Sequence, residues 1–169
     1  AAWRIAKALG ISERESLARF ELVQPMYNLV KRQAEAELFP LAESEQLGVI
    51  VYSPLASGLL TGLYGVDRKP ETGRLNEARY SQRYADRMNY EVADRFTAFA
   101  AEHGFHPPSL AVAWAMSHPA VTAPIIGAET VEQLDGYLGA LDIDLTPELR
   151  QQISDLSFVP DVGTERTVD

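Results

Sequence analysis

The chain has 169 residues, 46% of them hydrophobic, and carries 15 Lys and Arg against 24 Asp and Glu, a net charge of −9. At roughly 100–200 residues per domain this is one domain with an ordinary core, not a disordered chain. Ten acids and two bases lie in residues 129–169, so residues 1–128 are nearly neutral; without clustered cations, nucleic acid is excluded as a partner. No run of about 18 apolar residues marks a membrane helix, and no charged n-region with an apolar stretch marks a signal peptide. The absence of cysteine removes disulfides, thiolate nucleophiles and Cys-based metal sites. The chain opens on Ala1 inside a helical pattern, which predicts a piece of a longer or processed protein.

In chain order, Ala1 to Leu9 reads as a helix ended by Gly10. Phe20-Glu21-Leu22-Val23 reads as a strand ending in Gln24-Pro25. Residues 32–46 carry a helical stripe through Ala34, Leu38, Leu41 and Ala42, with Pro40 implying a kink or a late start. Gly48 to Tyr52 is continuously apolar, as in a strand buried on both faces of a parallel sheet. Ser53 to Tyr64 is a Gly- and Ser-rich loop or turn. Residues 65–84 are polar, with Arg68, Lys69, Arg74, Arg79 and Arg83 among them, and predict a mobile loop able to meet an anion.

Residues 86–103 predict a helix with Val92, Phe96, Phe99 and Ala100 on one face. Pro107-Pro108 breaks the chain, and Ser109 is expected to cap a helix to His118. Val121 to Ile126 predicts a third strand. Thr130 opens a helix to about Leu141, and Thr146-Pro147-Glu148 starts the last one, Thr as N-cap and Pro at the first position. Residues 158–169 are expected to be a flexible tail. Three strands alternating with helices give an α/β fold with a parallel sheet.

Ligands of parallel α/β folds sit at the C-terminal ends of the strands. Those ends carry Gln24, Tyr52-Ser53 and Gly127-Ala128. Gln24 offers an amide donor and acceptor, or only satisfies its own loop. Tyr52 has an aromatic face for a flat ring, or is a core tyrosine. Ser53 to Gly62 offers hydroxyl and N–H donors for a pyrophosphate, or is an ordinary loop. Thr130 and Gln133 have capping-box spacing behind Gly127, where a helix N-terminus favours phosphate; the plain reading is a strand–turn–helix junction. His103, His106 and His118 read as surface or capping residues, without ligand partners.

Three blocks carry a resemblance: Gln24-Pro25-Met26-Tyr27-Asn28-Leu29, then Tyr52-Ser53-Pro54-Leu55-Ala56-Ser57-Gly58-Leu59-Leu60-Thr61-Gly62, then Pro124-Ile125-Ile126-Gly127-Ala128 with Gln133-Leu134. In this order they resemble the aldo-keto reductase family, over the chain to about residue 157. The resemblance implies a (β/α)₈ TIM barrel, of which this chain is the C-terminal part: strands six to eight with their helices, Ala1-Ala2-Trp3 lying in the helix after the fifth. It implies a cytoplasmic NAD(P)H-dependent oxidoreductase reducing small aldehydes or ketones, with NADP(H) as cofactor and NAD(H) as the alternative. Gln24 then bonds the nicotinamide carboxamide and Tyr52 stacks on its ring. Ser53, Pro54, Leu55, Ser57 and Thr61 line the pyrophosphate, and Arg74 folds over it. Gly127, Ala128, Glu129, Thr130 and Gln133 hold the adenosine end.

Three residues depart from the family pattern: Leu63 stands where Lys is usual, Glu129 where a basic or small polar residue is usual, and Gly136-Tyr137 where Glu-Asn is usual. Each removes a familiar contact near the phosphates or adenine. The family's catalytic Tyr, Lys, Asp and His lie in the first half of the barrel, so no catalytic residue is expected in this chain and the isolated chain is expected to be inactive. Expected partners are the carbonyl substrate and the other half of the barrel or a second copy. The alternatives are a nicotinamide-binding regulatory subunit and an inactive fragment.

Overall fold

Side-chain caps start three of the seven α-helices among the described residues. The computed structural model describes residues 1–160. The Asp86 carboxylate accepts the Met88 N–H and starts α4 (Arg87–Glu102). Thr130 and Thr146 accept the N–H groups of Gln133 and Leu149, opening α6 (Val131–Leu138) and α7 (Pro147–Ser154). Each hydroxyl or carboxylate satisfies a donor that the first helical turn leaves free.

The remaining elements are α1 (Ala2–Arg14), β1 (Leu22–Val23), α2 (Leu38–Ser44), β2 (Gly48–Tyr52), α3 (Ala78–Ser81), α5 (Pro107–Met116) and β3 (Ala123–Ile125), with short 3₁₀ turns between. The three strands are parallel in the order β1-β2-β3. Register pairs Val23 with Val49 and Tyr52 with Ile125. Parallel neighbours need crossovers, and here α2 links β1 to β2 while the segment holding α3, α4 and α5 links β2 to β3.

The core lies between the helices and one face of the sheet. Val49 and Val51 are fully buried, with Phe39, Phe96, Leu110, Trp114 and Ile153 in the same cluster. Every residue of α5 from Pro108 to Ala115 is buried, as expected of a helix that is apolar all round. Gly48, Ile50 and Tyr52 on the other face of β2 are only half-buried, and Leu22 and Ile125 stay exposed. The expectation of burial on both faces is therefore corrected: among the described residues, nothing forms a second layer over that face.

Other boundaries differ too. α1 runs through Gly10, where a Cβ would meet nothing within 4 Å; the glycine is tolerated on an exposed face. β1 and β3 are shorter than their apolar runs. Pro40 sits in the first turn of α2, so the helix starts late rather than kinking. α5 starts at Pro107, with His106 as N-cap. Ser109 is buried inside its first turn, donating to the Gly136 carbonyl instead of capping. α6 stops at Leu138 and a 3₁₀ turn carries the chain to Asp142.

Residues 65–84 are not a featureless loop. They hold α3 and two 3₁₀ turns, anchored by Leu75 and Tyr84, 1% and 0% exposed. Of the expected tail, residues 161–169 lie outside the described residues.

Candidate functional site

A cleft of about 540 Å³ opens at the C-terminal ends of β2 and β3, a size that suits a small-molecule ligand. It brings together ten of the thirteen residues singled out from the sequence: Tyr52, Ser53, Pro54, Leu55, Ser57, Thr61, Arg74, Gly127, Glu129 and Gln133. Gln24, Ala128 and Thr130 do not line it. Gln24 is exposed at the end of β1, beside the Met26–Tyr52 bridge. Thr130 spends its hydroxyl on the helix cap.

The first wall is a turn of unusual backbone. Ser53, Ala56 and Ser57 have φ of 58, 52 and 59°, followed by Gly58 at 99°. Left-handed conformation at a non-glycine residue costs about 1–2 kcal/mol each, and such strain persists where surrounding packing over-determines it. Here Ala56, Leu59 and Leu60 are fully buried, and the Thr61 hydroxyl donates to the Gly58 carbonyl at 2.6 Å. Asn28, itself fully buried, donates its amide to the Ser53 carbonyl at 2.9 Å. Its carbonyl accepts the Val30 N–H, and its amide also reaches the Tyr84 hydroxyl at 3.3 Å. Sequence reasoning missed Asn28 and Tyr84 as builders of this wall. The one available signal was a lone Asn in the apolar run Met26 to Val30. Among the described residues, the backbone N–H groups of Leu55 and Gly127 make no hydrogen bond, so they remain available to a ligand.

The second wall is Leu63, Tyr64 and the segment Pro70 to Arg74. The Tyr64 ring packs beneath Gly58, and its oxygen lies where a Cβ on Gly73 would stand. That hydroxyl is buried without a hydrogen-bond partner. Burial pushes its pKa up, opposed by the nearby Leu75 backbone.

The third wall is Ile125, Ile126, Gly127, Glu129, Gln133 and Tyr137. Only half of the capping box forms: Thr130 accepts the Gln133 N–H, but the Gln133 side chain accepts the Glu129 N–H at 2.9 Å in place of the Thr130 N–H, removing the Glu129 donor from a ligand. A Cβ on Gly127 would meet nothing within 4 Å, which leaves open space beside its free N–H. Across the mouth, Arg74 Nε and Glu129 Oε1 stand 4.0 Å apart. Burial raises the Tyr137 phenol, the Arg74 charge opposing and Glu129 reinforcing the shift.

A second polar cluster lies on the helix side of the sheet, away from this cleft. Tyr27 is fully buried there, donates to Glu35 at 2.6 Å and accepts from Arg150 at 3.1 Å. Burial and Glu35 hold its phenol far above the ordinary value, against Arg150. Burial alone would raise the Glu35 carboxyl, but hydrogen bonds from Arg32 and Tyr27 outweigh it and hold it low. His118, expected at the surface or as a cap, packs on Phe39 and Tyr27 with ring centroids 4.6 and 5.8 Å away. Its Nδ1 accepts the Ala120 N–H, and burial lowers its pKa, Arg150 adding. His103 and His106 are exposed: one bonds the Phe99 carbonyl and the other occupies the α5 cap. Among the described residues, no cluster of three His, Cys, Asp or Glu side chains forms a metal site, and no helix is long and apolar enough to cross a membrane.

Residues 1–157 match the model of the aldo/keto reductase family. The chain belongs to that family. It is 34% identical over 156 residues to the uncharacterized oxidoreductase YrpG of Bacillus subtilis, covering 92% of this chain and 46% of that protein. It is 35% identical over 159 residues to a probable voltage-gated potassium channel subunit beta of Oryza sativa subsp. japonica, covering 90% of this chain and 48% of the relative. A putative subunit of the same kind from Schizosaccharomyces pombe is 34% identical, covering 94% and 48%. This aldo/keto reductase chain thus spans about half the length of the curated relatives it matches.

Proposed function

We propose that the chain is the dinucleotide-holding part of a (β/α)₈ oxidoreductase that reduces a small aldehyde or ketone with a nicotinamide cofactor. The observation that carries this reading is the strained turn from Ser53 to Gly58 at the end of β2, with unsatisfied N–H groups beside it. Such groups are what a pyrophosphate needs. The residues fit the cofactor: Tyr52 presents a half-buried ring at the strand end, and the open space at Gly127 faces a free donor. In this reading Tyr52 and exposed Gln24 hold the nicotinamide end, Ser53, Leu55 and Ser57 the pyrophosphate, and the wall from Gly127 to Tyr137 the adenosine.

The bound cofactor supplies the hydride. The chain's own residues bind and orient it. None is well placed as proton donor to a carbonyl oxygen: Tyr64 is sealed beneath Gly73, the Glu129 carboxylate faces Arg74 at 4.0 Å, and Tyr27 is buried in the core. We therefore place the acid, and the catalytic Tyr and Lys implied by the family, in the rest of the barrel. That remainder would cover the open sheet face at Leu22 and Ile125, a second copy being the other candidate.

A second reading is a nicotinamide-binding regulatory subunit, favoured by the two relatives described as potassium channel beta subunits. Titration of the chain with a reduced nicotinamide dinucleotide, followed by nicotinamide fluorescence, tests the common part. Saturable binding that weakens on Asn28→Ala is expected; no binding at millimolar ligand refutes both readings. Steady aldehyde reduction by the full-length protein then separates enzyme from regulator.

A further inference from the structure

We propose that a second cavity, separate from the cleft at the strand ends, binds the phosphate group of a small phosphomonoester. The cavity holds about 670 Å³ between the turn 65–69 and the start of α4, at Ala85, Arg87 and Tyr90. It shares no lining residue with the first cleft, so the proposal stands apart from the dinucleotide reading.

The turn is held before any ligand arrives. Gly65 and Arg68 exchange both backbone hydrogen bonds, at 3.0 and 3.4 Å. One oxygen of Asp94, on α4, accepts the Val66 N–H and the other accepts an Arg68 guanidinium N–H, each at 2.8 Å. A Cβ on Gly65 would overlap that carboxylate, so the glycine lets α4 approach the turn this closely. Such preorganisation cuts the ordering cost of binding.

The chain carries a net charge of −9, yet this lining sets Arg68, Lys69 and Arg87 against Asp67 alone. Asp94 and Glu91 hold Arg68 and Arg87 from outside the lining. Each acid takes one N–H of a guanidinium that offers several. Among the described residues, Lys69 has no ion-pair partner, and the backbone N–H groups of Asp67 and Lys69 make no hydrogen bond. Arg87 also opens the 16-residue α4, whose N-terminal dipole favours an anion.

A surplus of positive charge on this scale suits a phosphate monoester, which carries about −1.5 to −2 at neutral pH and accepts paired guanidinium N–H bonds. A single carboxylate would leave a cation unmatched. Inorganic phosphate would leave most of the volume empty, whereas Val66 and Tyr90, both half-buried, offer apolar surface to an organic group.

Amide NMR of the isotope-labelled chain, titrated at low salt and mildly alkaline pH with phenyl phosphate, inorganic phosphate and acetate, tests this. Phenyl phosphate is expected to shift the amides of Asp67, Lys69 and Arg87 saturably and to bind several-fold more tightly than inorganic phosphate, with no such shifts from acetate. Lys69→Gln and Arg87→Gln, both at exposed positions and checked for an unchanged melting curve, should each weaken phenyl phosphate about 3- to 5-fold, the scale of one exposed charge contact. No saturable shift at tens of millimolar phenyl phosphate overturns the proposal, as do shifts confined to Ser53, Ser57 and Gly127 in the first cleft, or unchanged affinity in both variants. Equal affinity for inorganic phosphate overturns the ester, and equal shifts from acetate overturn the phosphate.

Discussion

Removing the hydroxyl of Tyr64 by the change Tyr64→Phe should stabilise the protein, and it should also lessen the damage done by a second change at Gly73. Tyr64 is 3% exposed and its oxygen has no hydrogen-bond partner. A buried unsatisfied hydroxyl costs about 1–3 kcal/mol. The nearby Leu75 backbone offsets part of this, so a gain of about 1 kcal/mol is expected, or about 2–4 °C in Tm for a chain of this size. Gly73 has φ 140° and ψ 162°, a region that only glycine enters freely, at about 1–3 kcal/mol for other residues. Gly73→Ala adds to that strain a Cβ overlapping the Tyr64 oxygen; the next nearest atom, Tyr64 Cζ, is at an ordinary 3.5 Å. Gly73→Ala should therefore cost about 2–4 kcal/mol in the native background and about 1 kcal/mol less in the Tyr64→Phe background, the strain remaining and the overlap gone. Urea denaturation of the native chain, the two single variants and the double variant gives this coupling directly. Equal costs in both backgrounds would refute the overlap. A loss of stability on Tyr64→Phe would show that the hydroxyl has a partner.

Three further outcomes are expected. Asn28→Ala removes the amide that pins the Ser53 turn, and should cost about 2 kcal/mol, leaving the buried Val30 N–H without its acceptor and the Ser53 carbonyl with the Ala56 N–H alone; dinucleotide affinity should fall with it, whereas Thr146→Ala, which only uncaps α7, should cost about 1 kcal/mol and leave affinity unchanged. Acidification should destabilise the protein in two stages. His118 is held below its ordinary 6.5 by burial, so the unfolded chain takes up the proton first and stability falls as pH drops below about 6.5. Glu35 is held below 4.5 by Arg32 and Tyr27 against the effect of burial, so its contribution is complete above that value and lost as pH falls beneath it. Urea midpoints against pH check both, and His118→Gln should flatten the upper stage alone. Glu35→Gln, which strips Arg32 of its charge partner at 11% and 17% side-chain exposure, should cost about 2–3 kcal/mol near neutral pH; a change under about 0.5 kcal/mol, the scale of an ordinary surface substitution, would remove that pair from any account of stability.

The caps of α6 and α7, the existence of strand β2 though not its half-open face, and the strand-end positions of Tyr52, Ser53 and Gly127 were legible in the sequence. Each depends on residues within about four positions of one another, where spacing alone decides which donor meets which acceptor. The same local rules misplaced Ser109, because a serine behind two prolines looks like a cap until α6 brings the Gly136 carbonyl to its hydroxyl. They read residues 65–84 as a loop, because nothing local shows that Leu75 and Tyr84 will find a core to enter. They found Arg74 and Glu129 separately but not their approach across the cleft mouth, which joins two distant parts of the chain. The left-handed turn at Ser53 was equally out of reach: its strain is tolerable only because Asn28, 25 residues away, and the buried Leu59 and Leu60 hold it. The sequence determined most of the segments that become helix or strand, and it marked the ends of β2 and β3 that line the cleft, since those follow from short-range hydrogen bonding and apolar periodicity. Only the tertiary structure decided how the charges and donors of the cleft pair with one another, since that depends on packing between segments far apart in the chain.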